Sequence, residues 1–157
     1  MNQVRDPEYP TEERLRIYGD FSFLAMRNPL HRKMPGSILR DALEPPILLG
    51  QYKIFRFDGV PRGALTWAWL SEDSEKKYLN GHGFHLADWR SGDRLWLIDF
   101  IAPYPGLARG IAKWMRRPGN MPEPVFAYRR VNEQMSTRRV VRVDLRGSKG
   151  QAEIVQS

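Results

Sequence analysis

Gln51-Tyr-Lys-Ile-Phe-Arg-Phe57, Asp58-Gly59 and Gly63-Ala-Leu-Thr-Trp-Ala-Trp-Leu70 form one continuous argument along the chain. β-Branched and aromatic residues fill both outer runs, and Asp-Gly is the dipeptide that best tolerates the positive φ angles of a two-residue turn. The spacing predicts a β-hairpin with strands over 51–57 and 63–70. Toward the C-terminus, Ser71-Glu-Asp-Ser-Glu-Lys-Lys-Tyr-Leu-Asn80 reads as a capped helix stopped by Asn80-Gly81. Arg94-Leu-Trp-Leu-Ile-Asp-Phe-Ile101 then reads as a largely buried strand.

Residues 106–117 carry helical periodicity, with Leu107, Ile111, Trp114 and Met115 on one side and Arg109, Lys113, Arg116 and Arg117 on the other. Pro118-Gly119 ends that helix. Residues 125–131 and 140–145 read as a second hairpin around a polar 132–137 segment. On the N-terminal side, Thr11 followed by Glu12 and Glu13 marks a helix start, and Gly19 marks its expected end. Residues 21–43 have helical propensity but are cut by Pro29 and Pro35, which leaves His31 at a helix end or in a loop. The order of elements is that of an α+β fold with a mixed, mostly antiparallel sheet flanked by helices. The expected organisation is a flexible arm and short helix over 1–20, a single domain over 21–147, and a disordered tail over 148–157.

The chain has 157 residues, 41% apolar, enough for one ordinary domain with a real core. It contains no cysteine, which excludes disulfides, thiolate metal ligands and a cysteine acyl-enzyme, and fits a cytoplasmic location. The first ten residues lack a signal-peptide apolar region, and no stretch has the length of a membrane span. A net charge of +7 and a pI near 10.0 imply attraction to an acidic partner without naming it.

Two residues carry the chemistry. His31 is the side-chain type whose ordinary pKa suits general-base work near neutrality, and Asp99 is a carboxylate inside an apolar strand, where it is costly unless paired. About seventy residues separate them, so their spacing alone does not bring them together. His82 and His85 stand at i,i+3 spacing with no supporting carboxylate or cysteine pattern, and no metal site is expected. The five tryptophans read mainly as core. Asp93-Arg94 reads as a structural turn and ion pair.

Several short segments in order resemble the RTX toxin-activating lysine acyltransferases. They are Pro29-Leu-His-Arg32, Gly50-Gln-Tyr52, Pro61 through Trp67, Lys77-Tyr-Leu-Asn80, and Ser91-Gly-Asp-Arg94 leading to Ile98-Asp-Phe-Ile-Ala-Pro103. The chain departs from the family pattern at Asn28, Met34, Phe100 and Tyr104, where the family usually has Ser, Trp, Trp and Phe, and in a shorter C-terminal region. The resemblance implies a GNAT-like acyltransferase fold and a fatty acyl group supplied by acyl carrier protein. The acceptor it implies is an internal lysine of an RTX protoxin. It also implies catalytic roles for His31 and Asp99, no bound cofactor, and a homodimer as a reasonable assembly.

The basic helix face at Arg109, Lys113, Arg116 and Arg117 then offers an acidic carrier protein a place to dock. One alternative keeps the same fold and site but acylates a different protein or a small amine. Another, from a different class, is a nucleic-acid-binding module built on Arg129-Arg130 and Arg138-Arg139 beside Tyr128. The mixture of 25 basic with 18 acidic residues and the lack of a binding motif argue against it.

Overall fold

The computed structural model describes residues 6–132, 134, 136–147 and 150–156. Among the described residues it is α+β, with four α-helices and six strands in one mixed sheet of order β1-β2-β3-β4-β5-β6. Contacts group the chain into two compact units, one of residues 1–66 with 99–107 and one of 67–98 with 108–157.

In the first unit, α1 is Glu12–Ala25 and α2 is Gly36–Leu49. The Thr11 hydroxyl caps α1 by accepting from the Arg14 N–H at 3.2 Å. The helix runs through Gly19 instead of stopping there. A helical glycine costs about 1 kcal/mol, but Ile17, Phe21, Leu24 and Ala25 beyond and before it are buried on one face and outweigh that cost. Between the helices lies a single 3₁₀ turn, His31–Lys33, and Pro35 precedes α2 in extended conformation. Gly50 closes α2 at φ 69°, a left-handed conformation that glycine adopts freely.

Strand β1 is Tyr52–Phe57 and β2 is Val60–Leu70, joined at Asp58 (φ 50°) and Gly59 (φ 77°) as the hairpin reading requires. The second strand begins three residues earlier than expected, and a register shift between Phe55 and Arg56 accommodates it. Buried Asp20 of α1 accepts from Nε of Arg56 at 3.1 Å and from Nη2, tying helix to hairpin. Leu43, Ile47, Ile54, Ala64 and Ile101 complete the core with the α1 residues.

In the second unit, α3 is Glu72–Leu79, capped by Ser71 accepting from Ser74 N–H at 3.1 Å. Strand β3, Arg94–Ile101, pairs parallel with β4, Val125–Val131, at Trp96↔Ala127 and Leu97↔Tyr128. Parallel neighbours need a crossover, and α4, Leu107–Arg116, lies between them in the chain. Strand β5, Thr137–Asp144, returns antiparallel to β4 and starts earlier than the expected residue 140. Residues 151–156, expected as tail, form β6 (Gln151–Gln156) antiparallel to β5. The run is short and half polar, and its residues 151–155 are exposed, so the strand rests on main-chain pairing more than on burial. Residues 148, 149 and 157 of that expected tail lie outside the described residues.

Candidate active site

His31 and Asp99 meet. Nε2 of His31 lies 2.7 Å from Oδ1 of Asp99, although the two are 68 positions apart. Local structure explains how each gets there. Pro29 and Pro35 confine the helix-to-helix connection to one 3₁₀ turn, and His31 at its start is turned inward and only 2% exposed. Asp99 projects from β3, with its side chain 11% exposed. The paired carboxylate answers the cost of placing a charge in an apolar strand.

Two further residues complete the group, and the sequence reading missed both. Nδ2 of Asn28 lies 2.6 Å from Nδ1 of His31. With that amide as donor, Nδ1 is the acceptor and the ring proton sits on Nε2, directed at Asp99. Asn28 also accepts the Arg32 N–H on its own carbonyl at 3.0 Å, which closes the turn. Its i,i+3 spacing from His31 was the available signal, since residues three apart share a side of a helical turn. Thr66, fully buried on β2, accepts the Asp99 backbone N–H at 3.0 Å and directs its hydroxyl to Oδ2 at 3.4 Å. A lone hydroxyl within the apolar run 63–70 was its signal.

The ring therefore has one nitrogen fixed by a carboxylate and the other held by a displaceable neutral amide. Such a pair can take a proton at Nδ1 and stabilise the resulting imidazolium through Asp99. Arg94 donates to Glu75 Oε1 at 2.9 Å, and that pairing replaces the ion pair expected with its neighbour Asp93.

The basic residues of 109–117, the other two histidines, the five tryptophans and Arg129 belong to the second unit. Arg109, Lys113 and Arg116 are exposed on α4 and Arg117 is exposed just beyond it, while Ile111 and Met115 are buried. None of the four has an acidic partner among the described residues. His85 opens a short 3₁₀ helix, Leu86–Trp89, and its backbone N–H donates to Asp88 Oδ2 at 2.9 Å. Among the described residues no three or more His, Cys, Asp or Glu side chains stand together as a metal site. Arg129 is engaged internally, over the Tyr78 ring at 4.2 Å and donating to Thr137 Oγ1 at 3.2 Å. No helix among the described residues is long and apolar enough to cross a membrane.

Comparison with known proteins places the chain among acyltransferases. It belongs to the RTX toxin acyltransferase family, whose model matches residues 10–144. It is 39% identical to the RTX-I toxin-activating lysine-acyltransferase of Actinobacillus pleuropneumoniae, over 74% of this chain and 66% of that protein. It is 40% identical to a protein-lysine myristoyltransferase of Escherichia coli, over 75% of this chain and 67% of that protein. It is 37% identical to a protein-lysine palmitoyltransferase of Bordetella bronchiseptica, over 60% of this chain and 51% of that protein. The matched part thus spans from about half to about two thirds of these relatives' length.

Proposed function

We infer that this chain transfers a fatty acyl group from acyl carrier protein to the ε-amine of an internal lysine of an RTX protoxin, with His31 as general base and Asp99 assisting it. The observation that carries the reading is the 2.7 Å His31–Asp99 hydrogen bond, inside the region that matches the family. The relatives' names, toxin-activating lysine-acyltransferase and protein-lysine myristoyl- and palmitoyltransferase, supply the acceptor and the acyl class.

A lysine amine, with an ordinary pKa near 10.4, must lose a proton to attack a thioester. In the reaction the lysine ammonium first gives one proton to water and, as the neutral amine, displaces the Asn28 amide at Nδ1; its nitrogen bonds to the thioester carbonyl carbon, and Nδ1 takes the second proton as that bond forms. The tetrahedral intermediate collapses by breaking the C–S bond. The departing thiolate accepts the proton back from the imidazolium, which Asp99 stabilises meanwhile. This direct route needs no acyl-enzyme. The covalent rival would use Ser37, exposed in the first turn of α2, or His31 itself.

The same reading treats the fold as GNAT-like, in keeping with two helices ahead of the first hairpin and a parallel β3–β4 pair bridged by α4. Exposed Arg109, Lys113, Arg116 and Arg117 supply a basic surface for the acidic carrier protein, and such a donor sets the reaction in the cytoplasm. The test is the intact mass of an RTX protoxin fragment after incubation with this protein and acyl carrier proteins loaded with several chain lengths. A fatty-acyl increment, absent with His31→Ala, supports the reading. No increment with any donor, from folded protein, refutes it.

A further inference from the structure

The helix pair that carries the His31 turn also encloses a groove of about 430 Å³. Its floor is apolar and buried: Phe21 and Ala25 from α1, Leu43 and Ile47 from α2. Exposed Ser22 and half-buried Leu39 form its walls. Because the 26–35 segment joins the two helices, Met26, Arg32 and Gly36 mark the end beside the His31 turn. Toward the other end stands Tyr18, whose hydroxyl donates to Glu44 at 2.8 Å; the same carboxylate accepts at 3.2 Å from Arg40, one turn nearer the His31 end.

Length and polarity follow from this layout. Lining residues run from Gly36 to Ile47 along α2, about 16 Å at 1.5 Å per residue. The groove floor is therefore apolar along its course, while the polar side chains Ser22 and Arg40 are exposed at its walls and Tyr18 and Glu44 stand toward the far end. Burial and the hydrogen bond to Glu44 push the Tyr18 phenol up to about 12, so the far part is neutral at that hydroxyl and flanked by a fixed polar pair. An extended hydrocarbon chain meets these conditions, and a peptide, whose main-chain polar groups would find few partners along the floor, does not.

We propose that this groove holds the fatty acyl chain, with the thioester end beside the His31 turn and the methyl end toward Tyr18 and Glu44. The assignment rests on the acyltransfer reading for the identity of the donor, and on the groove itself for the identity of the site. Tyr18 and Glu44, about 12 Å from Gly36 along α2, then flank the far part of the chain, with Ile47 beyond them.

The experiment reads binding and transfer separately. A fluorescent sixteen-carbon fatty acid is titrated into the wild-type chain, Ser22→Trp and Leu39→Trp, and the same proteins are assayed with eight- and sixteen-carbon acyl carrier proteins. Ser22 is exposed, so Ser22→Trp fills the groove without entering the core, even if Leu39→Trp fails to fold. Each methylene that loses its burial lowers affinity about fourfold, so saturable wild-type binding and a loss of tenfold or more in Ser22→Trp are expected. In transfer, the sixteen-carbon donor should suffer and the eight-carbon donor should not. Absence of saturable binding to the wild-type chain, or unchanged binding in Ser22→Trp, overturns the groove assignment. Groove-dependent binding with no transfer from any donor leaves the site standing and refutes the transfer reading instead.

Discussion

Nδ2 of Asn28 stands 2.6 Å from Nδ1 of His31, at the one ring nitrogen that Asp99 leaves free. Under the proposed general-base mechanism, a reacting amine occupies that place to hand over its proton. The amide is thus a neutral placeholder at the basic nitrogen, and it is not needed to set the tautomer that Asp99 already imposes. His31→Ala should lower the acylation rate by about 10²- to 10⁴-fold. Asp99→Asn should lose up to about 10⁴-fold through the wrong tautomer and a less stabilised imidazolium. Asn28→Ala should cost less than about tenfold, since only a displaceable hydrogen bond is lost. Single-turnover rates of the three variants check this order, and an Asn28→Ala defect as deep as that of His31→Ala would contradict it.

Charge on α4 should govern donor affinity. Oppositely charged surfaces raise association rates, and ionic strength screens them over about 8 Å at physiological salt. Reversing Arg109, Lys113 and Arg116 to Glu together should raise the KM for acyl carrier protein at low salt while leaving kcat close to the parent value. The parent KM should itself climb steeply with salt. Identical KM values for parent and triple variant would remove α4 as the docking surface.

Gly92 is required by close approach. A Cβ at this position would lie 2.6 Å from the Leu70 carbonyl oxygen and equally near the Ser71 backbone nitrogen and Cα. The Ser91 and Gly92 N–H groups both donate to the Trp69 carbonyl, at 2.8 and 3.2 Å, so the two segments cannot simply part. Gly92→Ala should destabilise by about 2 kcal/mol or more, since only backbone movement relieves the clash. Denaturant unfolding measures this, with Ser91→Ala as a companion that loses only side-chain hydrogen bonds.

Asp88 should make the second unit sensitive to acid. Burial pushes its carboxyl up, but the Ser74 hydroxyl at 2.7 Å, the His85 N–H at 2.9 Å and the Lys77 ammonium outweigh burial and hold it below the usual range. A carboxyl lowered in the folded state contributes stability that is present above its unfolded pKa and is lost as pH falls through its folded pKa. Thermal stability should therefore drop as pH goes below about 4. Asp88→Asn should be less stable at pH 7, and its deficit against the parent should shrink in that acid window. A constant deficit across the window would assign the loss to packing.

Much of the fold was legible because the local signals agreed with tertiary demands. Asp58-Gly59 lies at the turn between β1 and β2, Ser71 caps α3, and the apolar run around Trp96 is β3. Where they disagreed, packing prevailed. Gly19 sits inside α1 because the buried face of Phe21, Leu24 and Ala25 continues beyond it. Pro45 and Pro46 lie within α2, and the helix continues to the Gly50 cap. Strand β6 carried only a four-residue alternation, Gln151-Ala-Glu-Ile154, too short to stand out, and an exposed strand needs only a partner edge, here that of β5.

By itself the sequence determined the types of groups available. There is one histidine confined between two prolines, one carboxylate in an apolar strand, no thiol, and a helix with one basic face. These follow from residue identity and local periodicity, which need no knowledge of distant contacts. Only tertiary structure decided that His31 and Asp99 touch, that Asn28 fills the remaining ring nitrogen, and that Thr66 fixes the carboxylate from the next strand. The α1–α2 groove belongs to the same class of facts. Hydrogen bonds and cavities depend on distances between segments far apart in the chain, and those distances are set by how the whole core packs, not by any window of sequence.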